Sequence, residues 1–182
     1  SMGTLAVGGA LVVSSAGPVS QTGTGIRVTG TTSLEAIGQS IILESVTNDF
    51  AGRVTATGSI LKLRDASALL LTLRATDSSA ITAGGALDIT GSVVGQGKTL
   101  ALSAAAAVSF GQLAVDGGLT LTGAGSISQS GALKVEGPTR ITALGKIVTL
   151  DNTDNDFIGE VAVSSAALSV RDRNSLLMSF VT

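Results

Sequence analysis

The 182-residue chain has no Cys, His, Trp or Tyr, only four Phe and only two Pro. Without Cys, disulfide staples and thiolate metal sites are excluded. Without His or Cys, nucleophilic catalysis is restricted to Ser–Lys arrangements, and no motif for one occurs. Scarce aromatics argue against the broad core of a common globular enzyme and against the stacking platforms that hold single-stranded nucleic acid. Charged residues make up 13% and the net charge is −2, so no basic stripe exists for a phosphate backbone and no nucleic-acid partner is expected. No run of about 18 apolar residues is present, which leaves no candidate membrane span. The opening Ser1-Met2-Gly3 lacks the basic-then-apolar pattern of a signal peptide and reads as a cloning remnant of residues 1–3. Residues 4–182 then form a single segment, read as a piece of a longer protein.

What is present is aliphatic. The apolar fraction of 44% is almost entirely Ala, Val, Ile and Leu, accompanied by 24 Gly. Such a composition suits a narrow core of stacked branched side chains, and its low charge argues against disorder. Local periodicity is two. Val54, Ala56, Leu61 and Leu63 alternate with Arg53, Thr55, Lys62 and Arg64, the pattern of a strand with one buried face. Similar runs occupy 10–14, 25–28, 32–36, 40–44, 69–73, 86–89, 99–103, 113–115, 119–122, 132–135 and 139–143. Gly, Asn, Asp or Ser separates nearly every pair, as tight corners require. One strand and one turn recur about every seven or eight residues.

The chain also repeats itself. Residues 9–73 align with 117–180 at a spacing of about 107, with one residue inserted near Thr24-Gly25. Asn48-Asp49-Phe50-Ala51-Gly52-Arg53-Val54 corresponds to Asn155-Asp156-Phe157-Ile158-Gly159-Glu160-Val161, and Arg64-Asp65 to Arg171-Asp172. A long repeat made of short strands indicates a stacked, quasi-one-dimensional architecture. An antiparallel sandwich would favour Asn-Gly or Asp-Gly hairpins, and only Asp116-Gly117 fits. The pattern therefore predicts an all-β fold: a right-handed parallel β-helix (β-solenoid) of triangular cross-section. Three strands per coil, with their turns, use roughly 20–24 residues. That length gives about eight coils, and the internal repeat spans about five of them.

Gly117–Thr122, the run Ser-Ile-Ser-Gln-Ser-Gly-Ala-Leu-Lys-Val at 126–135, Ile147–Asn152, Asn155–Val161 and Leu168–Asp172 together resemble the repeats of filamentous-haemagglutinin-like exoproteins. That resemblance covers about residues 9–180. It implies a shaft segment of a large bacterial surface adhesin of the two-partner secretion type, hence secretion and a cell-surface location. It also implies that a host-surface or glycan receptor would be met by other parts of the parent protein. The secretion domain of that family, with its Asn-Pro-Asn-Leu-type motif, is absent from this segment.

Candidate chemistry is thin. Asp151-Asn152-Thr153-Asp154-Asn155-Asp156 looks like a calcium loop, and from Asp154 the sixth position is Gly159. Ser165, however, stands where a bidentate Glu is needed, and a solvated polar corner is the simpler reading. Arg64-Asp65 and Arg171-Asp172-Arg173 are the only clusters of the kind that polysaccharide-cleaving β-helices use. Their presence in both copies suits a wet face better than an active site built once. Asn48-Asp49-Phe50 and its counterpart read as a corner in which Asn and Asp bond the turn backbone, Phe enters the core and Gly52 or Gly159 restarts the strand. Thr120 and Thr122 invite an ice-binding reading, but no regular Thr ladder recurs at coil spacing. No catalytic, cofactor-binding or metal residue is assigned, and no enzyme activity is expected. The function classes that stand are an adhesive shaft, a carbohydrate-binding or polysaccharide-cleaving β-helix, and end-to-end self-association.

Overall fold

A computed structural model describes residues 1–181. Among these residues there are 21 short strands and no helix, and every strand pairing is parallel. The chain winds as a β-solenoid of about nine turns, roughly 40 Å long at the usual strand spacing. Each turn has three sides. Face I starts with Leu5–Val7, Ile26–Val28 and Asp49–Phe50. Face II starts with Leu11–Ser14, Thr32–Ala36 and Val54–Gly58. Face III starts with Val19–Ser20, Ile41–Leu43 and Leu61–Asp65, and continues through Ser79–Ala83, Leu100–Ala104 and Leu119–Gly123. Longer strands round a corner: Leu69–Ala75, Leu87–Val93 and Val108–Val115 pass from face I to face II. Thr139–Leu150 and Val161–Val170 pass from face III to face I.

Alternation sets which side chains line the interior. In Leu61–Asp65 the residues run buried, exposed, buried, exposed, buried. Parallel register then places like on like: Leu43, Leu63, Ile81, Leu102, Leu121 and Ile141 form one inner row of face III. All six are at most 4% exposed. Each such side chain contributes about 1.5–3 kcal/mol through removal from water, and neighbours above and below do the covering. Phe50, Phe110 and Phe157 are the largest buried side chains, and the two Phe of the repeated motif enter the core as expected.

The winding is tighter than three full strands and turns per coil would give, which is why nine turns fit where eight were expected. Val54 pairs with Leu71 and Leu69 with Leu87, shorter steps than the one from Thr32 to Val54 in the coil before. There face I has no strand over Asp49–Phe50; the chain crosses by a direct bond from Ala66 N–H to Asn48 O at 2.7 Å. One irregularity widens a coil. Ile89 pairs with Phe110 and Gly91 with Leu113, so Gly111 and Gln112 together oppose Thr90. This two-against-one bulge places Gly91 at φ +126°, where a Cβ would collide with Leu73 O.

The sequence repeat is out of step with the coil. From Val54 on face II the chain completes five coils through Leu71, Ile89, Leu113, Leu133 and the strand of Asp156, and then one further side before Val161 on face III. The repeat therefore spans five and one-third coils, not five, and its second copy is turned by a third of a revolution. Asp49–Phe50 stands on face I whereas Asp156–Phe157 pairs with Lys134 and Val135 on face II.

Because each coil is covered by its neighbours, damage should remain local. Phe50→Ala and Phe157→Ala should each cost about 3–5 kcal/mol. Amide exchange in the Phe50 variant should accelerate around residues 46–63 and hardly change around Phe157. Uniform acceleration along the chain would contradict a nearest-neighbour stack.

Candidate functional sites

The repeated corner is the most elaborate polar feature. Asn48 is fully buried. Its Oδ1 accepts from Ile26 N–H at 2.9 Å and from Gln21 Nε2 at 2.7 Å. Its Nδ2 donates to Gln21 Oε1 at 3.0 Å and to Leu43 O at 3.1 Å. Asn155 in the second copy repeats this pattern with Leu133 N–H, Gln129 and Leu150 O, and adds Arg171 O at 3.2 Å. Two side-chain amides thus close a reciprocal pair across adjacent coils and satisfy backbone groups that the bend leaves open.

Asp65 is the second element. It is 1% exposed, and its carboxylate accepts from Phe50 N–H at 3.1 Å and Ser67 N–H at 2.7 Å. It takes the place of the missing strand above Asp49–Phe50. Asp172 does the same for Phe157 N–H at 3.1 Å. Burial raises the Asp65 carboxyl above its ordinary 3.8, opposed by the hydrogen bonds from Ser67 and Phe50.

Three expectations about these residues change. Asn bonds the neighbouring coil as well as its own turn. Asp49 does not bond the turn backbone at all: it faces outward, accepting from Arg27 Nη2 at 3.1 Å and Ser67 Oγ at 3.1 Å. Gly52 and Gly159 are needed for close approach between coils, since a Cβ would run into the backbone of Gly30 or Gly137. Strand alternation also separates the supposed Arg-Asp clusters, because Arg64 is exposed whereas Asp65 points inward. Arg173 turns to Asp156 at 3.7 Å.

The apparent calcium loop does not converge. Asp151 and Asp154 are exposed, Asn155 is committed to the corner, and Ser165 is buried with its hydroxyl on Ala167 O. Among the described residues no three His, Cys, Asp or Glu side chains come together as a metal site would need.

The outward rows carry a pattern that only the register brings together. Register aligns Thr82, Ser103, Thr122, Thr142 and Ser164 along face III, and Ser33, Thr55, Thr72 and Thr90 along face II. A hydroxyl ladder therefore does recur at coil spacing. It mixes Ser with Thr and its steps are unequal, so no fixed period betrays it. Alongside the face III ladder, the next row runs Lys62, Ala80, Ala101, Thr120 and Arg140, which leaves the ladder one residue wide.

Residues 1–57 and 97–164 match the family described as repeats of unknown function (DUF5649), together more than half of the chain. The chain belongs to this family. The two matched stretches end at Thr57 and Ser164, equivalent positions of the internal repeat, and each contains one complete Asn–Gln pair. No curated protein and no solved structure matches the chain.

Two variants test the corner. Asn48→Ala leaves Ile26 N–H buried without a partner and strips the Gln21 amide of its own, and should cost about 1–3 kcal/mol, whereas an outward-facing change such as Asp49→Asn should cost under about 1 kcal/mol. Chemical denaturation of the two would reveal the order. For Asp65, the folded carboxyl holds its proton more tightly than the unfolded one. Its contribution is therefore greatest below 3.8 and falls as pH rises through the raised value. Asp65→Asn should remove that component from a stability–pH series, and a wild-type-minus-variant difference that grows as pH rises through this range would refute the assignment.

Proposed function

We propose that this chain is a structural shaft segment of a large secreted bacterial surface adhesin, contributing to attachment or biofilm. The observation that carries this reading is repetition without specialisation at the corners. The second copy rebuilds the Asn–Gln pair, the Asp cap and the buried Phe at equivalent positions, and it adds length to the rod. The resemblance of 117–122, 126–135 and 155–161 to filamentous-haemagglutinin-like repeats supports the same reading, and with it secretion and a cell-surface location. Receptor contact, on this reading, belongs to other parts of the parent protein.

Self-association is the accompanying proposal, and a specific contrast supports it. Leu71 and Leu73 are fully buried beneath the following coil, whereas their equivalents Met178 and Phe180 are 42% and 39% exposed. A further coil laid on that surface, whether the next one of a longer shaft or, for the isolated segment, that of a second copy, would cover them and pair an open strand edge.

Antibodies raised against the folded chain should label intact cells of the source bacterium. Labelling only after lysis would end the surface-shaft reading. Light scattering should show concentration-dependent elongation that Met178→Lys together with Phe180→Lys suppresses. A wild-type chain that stays monomeric at millimolar concentration would remove the end-to-end proposal.

A further inference from the structure

The geometry points to a binding groove for a carboxylate-bearing sugar on face II, centred on Arg74. Two concavities of about 380 and 270 Å³ meet at this residue and share Arg74 and Ser92. The first is polar, with Thr72, Thr90 and Gln112 presenting hydroxyl and amide groups. The second is flanked by two exposed aliphatic side chains, Ile37 at 72% and Val94 at 51%.

Bulge geometry makes the hollow. Gly111 and Gln112 oppose Thr90 alone, and Gly111 has no room for a side chain, since a Cβ would collide with Thr90 Cγ2. Local departures of this kind re-aim side chains and occur beside binding sites more often than elsewhere.

The central cation is unspent. Arg74 stands in register between Thr57 and Ser92, and among the described residues it makes no ion pair and no hydrogen bond. Glu35, the nearest acid of that row, is two coils away. Arg53 approaches from the other side and donates to Thr72 Oγ1 at 3.4 Å, while Thr72 and Thr90 hydroxyls lie 3.2 Å apart. A guanidinium fork offers two parallel donors to a carboxylate, and the hydroxyls and Gln112 offer donors and acceptors to ring hydroxyls. The apolar lobe would meet the less polar side of a neighbouring sugar. No unpaired strand edge lines the hollow, so a peptide could not add here as a strand.

The site is built once. In the second copy the places of Arg53 and Arg74 are taken by Glu160 and Val181, and Glu160 accepts from Ser179, the equivalent of Thr72. The Asn–Gln pair and the Asp cap are rebuilt there without them, so the paired arginines are not a requirement of the fold. With no aromatic platform, millimolar affinity is the expected range.

An NMR titration of the whole chain with a galacturonate oligomer, against a neutral galactose oligomer and an acidic dipeptide, tests this directly. Shifts should concentrate at Thr72, Arg74, Thr90 to Ser92 and Gln112, and appear with the uronate alone. Arg74→Gln should weaken binding about tenfold or more and Arg74→Lys by a smaller factor, as loss of a charged hydrogen-bonding fork predicts. Lys62→Gln with Arg64→Gln, on face III, should leave affinity unchanged. Equal response to the neutral sugar or the dipeptide would overturn the proposal. So would unchanged affinity in Arg74→Gln, shifts centred elsewhere, or no response at tens of millimolar.

Discussion

Everything in this molecule depends on keeping each coil within hydrogen-bonding distance of the next around the entire perimeter. Along the sides this is simple, because parallel strands pair and the inner rows follow register. At the bends the backbone turns away from its partner, and groups that the ladder would satisfy are left over. The chain meets that demand with side chains: an Asn–Gln amide pair at one bend and a buried Asp above the motif Phe. Gly over Gly lets the coils close where any Cβ would hold them apart. The hydrophobic rows supply most of the favourable free energy, but the corners decide whether those rows can meet.

The polar residues that most resemble chemistry are therefore structural. Buried Asp65 holds its proton more tightly than an ordinary carboxyl and has several donors around it, which are properties also found at active sites. Its equivalent, Asp172, stands in the same relation to Phe157. The residues that differ between copies, Arg53 against Glu160 and Arg74 against Val181, lie outside and contact nothing the fold requires. Difference between the copies, rather than likeness, is what separates recognition from architecture here.

The fold was legible because it rests on short-range rules. Alternation in Leu61–Asp65 and Thr32–Ala36 gives the strands directly, and aliphatic composition gives the narrow core. Strands such as Ser79–Ala83 and Leu5–Val7 give a weak signal, because Ser and Ala carry little hydrophobic contrast and three residues carry little pattern. The partners of Asn48 were hidden for another reason. Gln21 is remote from it in the chain, and only its correspondence with Gln129 could have flagged it. The hydroxyl rows and the Arg74 hollow depend on coil lengths that vary along the rod, and no local pattern encodes that register.

The fractional repeat has a mechanical meaning. Five and one-third coils rise about 26 Å at the usual strand spacing, and each successive copy is rotated by a third of a turn. An array of such repeats is a three-fold screw. Any bias toward bending within one copy points in a new direction in the next, and three successive copies cancel it. A repeat that spanned a whole number of coils would add its bias each time and curl the rod. In such an array the third of a turn left over would keep the rod straight.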